Sequence, residues 1–254
     1  LDRVVPLEPA AMAERTVIQW DKDDIADLRI IKVDLLGLGM MAALKETLRL
    51  VREGGGPDID LGQLPPDDPA VYRLLQTADT VGVFQVESRA QMATLPRMRP
   101  TRFYDIVVSV AIIRPGPILG KMVHPYLARR AGREPVRYAA PCLKPILART
   151  LGVPLFQEQI MRVAMAAGGF TGGQAEELRR AMGSRRSQEQ MQKMILQLRE
   201  GMTVRSLAQD AQDDIVRSIE SFAMYGFPES HAASFARIAY ASAWLKVHYP
   251  SAFF

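Results

Sequence analysis

Ile30-Ile31-Lys32-Val33-Asp34-Leu35-Leu36-Gly37-Leu38-Gly39 places one Lys and one Asp inside an apolar run that ends on glycines. β-Branched residues in such a run predict a short buried strand. A carboxylate inside it costs free energy unless a cation, a metal or hydrogen bonds compensate. Asp34 is therefore either paired with a nearby cation or a ligand, and local chemistry alone favours the structural pairing.

The sequence on either side divides unequally. Before this run, alternation in Thr16-Val17-Ile18-Gln19-Trp20 predicts an edge strand, and Asp21, Asp23, Asp24 and Asp27 predict a solvated acidic turn. That cluster lacks the Gly and terminal Glu of a calcium-binding loop. After the run, helices dominate. Met40 to Glu53 has helical spacing (Met41, Leu44, Leu48, Val51) and stops at Gly54-Gly55-Gly56. Asp68-Pro69 supplies an N-cap and first-turn proline for a helix through Gln76. Val81 to Val86 alternates like a strand, and Glu87 to Met98 reads as a helix broken at Pro96.

Thr101 is positioned to cap a helix through Ile112. Arg114-Pro115-Gly116-Pro117 then predicts a type II turn. Residues 121–150 carry Pro125, Pro135, Pro141 and Pro145, which predict short helices and irregular connections. Gln157 to Ala167 reads as an amphipathic helix with Met161 and Met165 as core filler. Further helices are predicted after the Thr171 cap, from Ser187 with Gln190 as a capping box, and from Asp210 to Ala223. The turn Tyr225 to Pro228 precedes a last helix, Ser230 to His248, with Phe235, Ile238, Trp244 and Leu245 inward.

Composition bounds the function. The chain has 254 residues, 48% hydrophobic and 24% charged, which is ordinary for a globular protein. No apolar run approaches the roughly 20 residues of a membrane span, so no membrane association and a cytoplasmic location are expected. One cysteine, Cys142, excludes an internal disulfide and a cysteine-based metal cluster. The net charge of +4 hides an asymmetry: residues 1–88 carry −7, residues 89–149 carry +10, and residues 150–254 carry +1. The basic stretch suggests a polyanionic partner as readily as a solvated basic surface. The first residue is not Met and the last six include three aromatics rather than a polar tail, so a piece of a longer polypeptide is expected.

Several chemistries lack their residues. His124, His231 and His248 are not spaced as zinc ligands. There is no Gly-x-Ser-x-Gly elbow and no phosphate-binding loop of the Gly-x-x-x-x-Gly-Lys type. What remains is Asp34 and cations at turns or helix ends: Lys32, Arg114, Arg179, Arg180, Arg185, Arg186 and His231. Guanidinium forks suit phosphate oxygens. Arg179 and Arg180 point about 100° apart on a helix, so at least one faces a groove or solvent. The bland alternative is a solvated face paired to Glu176.

Six motifs in order identify a resemblance. They are Lys32-Val33-Asp34-Leu35-Leu36-Gly37-Leu38, Gly82-Val83-Phe84-Gln85-Val86-Glu87-Ser88, Arg114-Pro115-Gly116-Pro117, Gln157-Glu158-Gln159, Leu178-Arg179-Arg180-Ala181-Met182-Gly183, and Tyr225-Gly226-Phe227 through Ser230-His231-Ala232-Ala233. Together they resemble bacterial C-family DNA polymerases, the α subunit of DNA polymerase III and its error-prone relative, over essentially the whole chain. The resemblance implies a mainly α fold: residues 1–38 as the end of a palm with a few short strands, and residues 39–254 as helical fingers.

It also implies two-metal-ion nucleotidyl transfer to a primer 3′-hydroxyl, with Mg²⁺ as cofactor and primer-template DNA and dNTPs as partners. A sliding clamp and damage-response accessory proteins would join the full-length protein. Asp34 would match the third catalytic carboxylate and metal ligand, and Lys32 a phosphate contact beside it. Arg114, Arg179, Arg180 and His231 would face the incoming nucleotide or template.

The chain departs from the replicative pattern in two places. Pro228 and Glu229 stand where replicative members typically have Asn and Lys, which weakens any phosphate contact made there. Glu87-Ser88-Arg89-Ala90-Gln91-Met92 differs from the shorter replicative form. Both variants point to the error-prone, damage-induced branch. An Asp-x-Asp pair expected upstream is absent, because Asp21-Lys22-Asp23 lies in a polar loop too close to Asp34. The chain alone is therefore expected to be inactive. The alternatives are a replicative α subunit and a non-catalytic helical module that binds nucleic acid through residues 89–149.

Overall fold

The computed structural model describes residues 3–31, 33, 35–113, 119–183, 188–223 and 227–254. The chain forms two compact units, Leu1–Leu36 and Gly37–Phe254.

In the first unit, β1 (Leu7–Pro9) pairs antiparallel with β2 (Thr16–Ile18), Glu8 opposite Val17. This is the predicted edge strand with its partner. The acidic cluster is not a plain turn. Asp21 and Asp24 cap each other, each backbone N–H donating 3.0 Å to the other's carboxylate, and open the short helix α1 (Lys22–Asp27). The predicted buried strand around Asp34 is also corrected. The described residues of that run are neither strand nor buried, with Ile31 86%, Val33 68% and Leu35 62% exposed. A β-branched run becomes a strand only against another edge, and β1 and β2 pair with each other alone.

Among its described residues the regular elements of the second unit are all helices. α2 (Leu38–Glu53) ends on Gly54, α3 (Pro69–Gln76) is capped by the Asp68 carboxylate accepting from Ala70 N–H, and α4 (Arg89–Met98) starts at the Ser88 cap. Helix α4 runs on through Pro96 and stops only where Arg99 turns left-handed. The predicted strand at Val81 to Val86 is a series of turns. Gly82 and Gln85 have positive φ, +78° and +63°, and the Thr80 hydroxyl donates 2.6 Å to the Val86 carbonyl across the segment. Its apolar residues are still used: Val83, Phe84 and Val86 are buried.

Two larger cores follow. In the first, α5 (Phe103–Ile112) is buried along eight consecutive residues, as befits a central helix. Helix α12 (Glu229–His248) packs chiefly on it. Ala232, Ala236, Ala239 and Ala243 form the buried seam of α12, spaced four, three and four residues apart. Small side chains let the helices approach closely. Of the four residues expected inward, Leu245 is fully buried, while Phe235, Ile238 and Trp244 are half-buried at the margins. Thr101 does not cap α5. The order is reversed, with the Thr101 N–H and hydroxyl donating to Asp105 in the first turn.

Helix α6 (Leu119–Arg130) and the short α7 (Lys144–Leu147) lead to the second core. It is built by α8 (Gln157–Gly168), α9 (Gly172–Gly183), α10 (Gln188–Val204) and α11 (Gln209–Ala223). Thr171 and Gln174 form the capping box of α9. Ser187 and the turn residues Tyr225 and Gly226 lie outside the described residues. The methionines that fill this core are Met182, Met194 and Met202. Met165 is exposed and Met161 half-buried, because Ile160, Val163, Ala164 and Ala167 define the inner face of α8. A small third core joins α2 to α12 through Leu44, Ala241 and Leu245. Terminal α13 (Pro250–Phe253) packs on α2 and α12.

Candidate nucleic-acid and nucleotide interface

Lys32, Asp34, Arg114, Arg185 and Arg186 lie outside the described residues. Arg179, Arg180 and His231 are described. The last turns of α9 present both arginines to one carboxylate. Glu176 accepts from Arg179 Nε at 2.8 Å and Nη2 at 2.7 Å, and from Arg180 Nε at 3.1 Å. These hydrogen bonds, Arg179's first, hold the Glu176 carboxyl at about 2. Glu176 thus gathers two guanidinium groups that helical geometry alone would spread apart. Arg180 leaves most of its side chain in water.

His231 lies in the first turn of α12. Its ring is half-buried between Phe227 and Phe235, at centroid distances of 5.2 and 4.2 Å. Phe235 in turn meets the edge of Phe84 from the 81–86 turns.

The first residue of α12 joins the two cores. The Tyr104 hydroxyl of α5 donates 2.8 Å to Glu229 Oε1. The Arg149 guanidinium lies 3.7 Å over the Tyr104 ring and 3.7 Å from the same carboxylate. Burial, followed by the bond to Glu229, pushes the Tyr104 hydroxyl well above its usual range. Glu229 N–H donates 2.9 Å to Glu158 at the start of α8, and Gln157 N–H donates 3.0 Å to the Phe227 carbonyl. Glu158 also acts electrostatically on Arg179.

The result is a strip of mixed charge: Arg180, Glu176, Arg179, Glu158, Glu229 and Arg149. It links Arg179 and Arg180 of α9 to the helix start that carries His231. Fixed guanidinium groups beside such a strip can bind phosphate oxygens. Among the described residues, no group of three or more His, Cys, Asp or Glu could hold a metal ion, and no helix is long and apolar enough to cross a membrane.

Residues 40–206, two-thirds of the chain, match the family model described as the bacterial DNA polymerase III alpha subunit finger domain. The chain belongs to this finger-domain family. Residues 1–37 match a second model, the bacterial DNA polymerase III alpha NTPase domain. The chain is 56% identical over 253 residues to the error-prone DNA polymerase of Methylococcus capsulatus, covering 100% of this chain and 24% of that protein. It is 56% identical over 263 residues to the error-prone DNA polymerase of Anaeromyxobacter dehalogenans, and 53% identical over 253 residues to error-prone DNA polymerase 1 of Agrobacterium fabrum. Each covers the whole of this chain and 23% of the relative. The chain therefore spans about a quarter of the length of the curated relatives it matches.

The finger-domain match takes in α3 through α10 in full, so Arg179 and Arg180 lie inside it and His231 beyond it. Sequence reasoning missed Tyr104, Arg149 and the structural use of Glu229. Glu229 lies 80 residues from Arg149 and 125 from Tyr104, separations that no local periodicity reports. The acidic replacement at Glu229 was the available signal: it meets an arginine and a tyrosine.

Proposed function

We propose that the chain is the end of the palm (1–38) and the fingers (39–254) of an error-prone DNA polymerase, which adds dNTPs to a primer 3′-hydroxyl on template DNA. One observation carries this reading, the whole-chain similarity to proteins named error-prone DNA polymerase. Primer-template DNA and dNTPs are then its substrates, a sliding clamp and damage-response proteins its partners, and the cytoplasm its location.

In this reading the chain's described residues bind and position. Arg179 and Arg180, steadied by Glu176, offer charge to a triphosphate or template phosphate. His231, clamped between two phenylalanines, fixes the start of α12 beside them. Lys32 and Arg114 act as further phosphate contacts, and Asp34 as a carboxylate ligand. The described residues alone do not compose a metal centre, so the Mg²⁺ of the intact enzyme depends on carboxylates beyond them.

The test is template-dependent dNTP incorporation by the full-length polypeptide on intact templates and on templates with an abasic site. Extension on both is expected. Extension that stops at the lesion favours a replicative α subunit, and absence of any incorporation overturns the polymerase reading.

A further inference from the structure

We infer that Arg149 is a contact for a DNA backbone phosphate, held ready by Tyr104 and Glu229. The inference rests on the polymerase reading above and adds a residue that neither the motifs nor the family match singles out.

Arg149 is the last cation of the 89–149 stretch and lies in the 3₁₀ turn Ala148–Thr150. Its side chain is 67% exposed even though two partners fix it. The Tyr104 ring supports one face of the guanidinium, an attraction that stacks the plane and leaves its edges open. The Glu229 oxygen sits 3.7 Å away, beyond hydrogen-bond length, and is already engaged by the Tyr104 hydroxyl. Among the described residues nothing accepts a hydrogen bond from Arg149.

Arg130 shows the opposite case in the same stretch. Its fork is consumed by both Asp105 oxygens and by the Met98 and Arg99 carbonyls. Arg129 is half-buried: Nη1 donates to the Leu151 carbonyl, and Nε is buried without a partner among the described residues. Arg149 alone of these three is exposed, with its plane fixed and its donors open to solvent. Side-chain ordering that normally opposes binding has been settled within the fold, and a planar fork with unspent N–H groups is complementary to a phosphodiester. The run of arginines leading up to it suits an extended polyanion rather than a single nucleotide.

The experiment measures binding of a fluorescent primer-template to the full-length polypeptide across a series of salt concentrations. Each phosphate neutralised contributes about 0.9 to the slope of log affinity against log salt. Arg149→Ala is expected to reduce that slope by about 0.9 and to leave the KM for dNTP unchanged. Arg149→Lys should keep the slope with weaker binding, since the charge stays and the stacked fork is lost. Arg73→Ala, an exposed arginine on α3, should leave the slope as it was. Tyr104→Leu should weaken binding in the unsubstituted protein and have no further effect in the Arg149→Ala background.

An unchanged slope in Arg149→Ala overturns the inference while the polymerase reading stands. So does an equal fall in Arg73→Ala, or a rise in dNTP KM with the slope intact. Absence of salt-dependent primer-template binding by the unsubstituted polypeptide removes the polymerase reading itself and the inference with it.

Discussion

Arg130 of α6 holds Asp105 of α5 in a two-pronged ion pair, with Nη1 at 2.8 Å from one carboxylate oxygen and Nη2 at 2.7 Å from the other. Asp105 is almost fully buried and also accepts from the Thr101 N–H at 2.9 Å. Burial by itself would raise its carboxyl. The hydrogen bonds from Arg130 and Thr101 outweigh burial and hold it below the usual range. A carboxyl lowered on folding contributes stability that is present above its unfolded value, about 3.9, and lost as pH falls through the lower folded value. Asp105→Ala should cost about 3–5 kcal/mol, because it strands a half-buried guanidinium. Asp105→Asn should cost less and flatten the acid limb below about pH 4. Urea denaturation from pH 2.5 to 7 measures both, and an unchanged acid limb in Asp105→Asn would contradict the assignment.

Lys246 anchors the far end of α12. Only 8% exposed, its Nζ donates to the Asp79 carbonyl and carboxylate, both at 2.9 Å, and to the Val81 carbonyl at 3.0 Å. It ties α12 to the 81–86 turns that replace the predicted strand. Lys246→Met keeps the apolar stem but leaves those acceptors unpaired, at about 1–3 kcal/mol for a buried one. Thermal unfolding should show a lower midpoint, and a midpoint equal to the parent's would mean the contacts carry no net weight.

Gly201 in α10 gives a sign test. Gly→Ala within a helix ordinarily gains about 0.8–1 kcal/mol. Here an added Cβ would lie 1.9 Å from the Gly168 carbonyl oxygen of α8, and backbone cannot swing aside as a side chain can. Gly201→Ala should therefore destabilise, by about 1–3 kcal/mol as for other overpacked cores. A stabilised variant in urea denaturation would show that α8 and α10 do not cross so closely.

Arg179 and Arg180 share Glu176, so their substitutions should not be independent. If they contact the triphosphate, Arg180→Ala should raise the KM for dNTP in the full-length polypeptide about tenfold or more, the weight of a lost charge-assisted hydrogen bond of about 1.5–3 kcal/mol. Glu176→Gln should shift the same constant through both arginines. Steady-state primer extension reads this directly, and equal KM values for parent and Arg180→Ala would remove Arg180 from the nucleotide site.

Much of the helical fold was legible because helix ends carry their own chemistry. Asp68-Pro69, the Thr171 cap and the stop at Gly54 each do locally what the sequence says. The edge strand at Thr16 was found, but two other predicted strands failed for a different reason. Ile30 to Leu36 and Val81 to Val86 have β composition, but a strand requires a partner edge that no short window reports. Across Val81 to Val86 the backbone is instead set by Gly82, Gln85 and the Thr80 bond. Nor could periodicity find the alanine seam of α12, since hydrophobic patterns favour large residues and this interface uses small ones. The candidate site was half legible. Arg179, Arg180 and His231 came from ordered motifs, and the Glu176 pairing from its one-turn spacing, whereas the Arg149–Tyr104–Glu229 contact arises only when distant segments meet.

Asp34 bears the central claim, because the resemblance makes it a catalytic carboxylate of a polymerase. The decisive measurement is primer extension by the full-length polypeptide carrying Asp34→Ala, alongside primer-template binding by the same variant. Loss of extension by at least about 10³-fold, equivalent to roughly 4 kcal/mol of barrier, with binding nearly intact is the predicted result. Extension at the parent's rate would contradict the account.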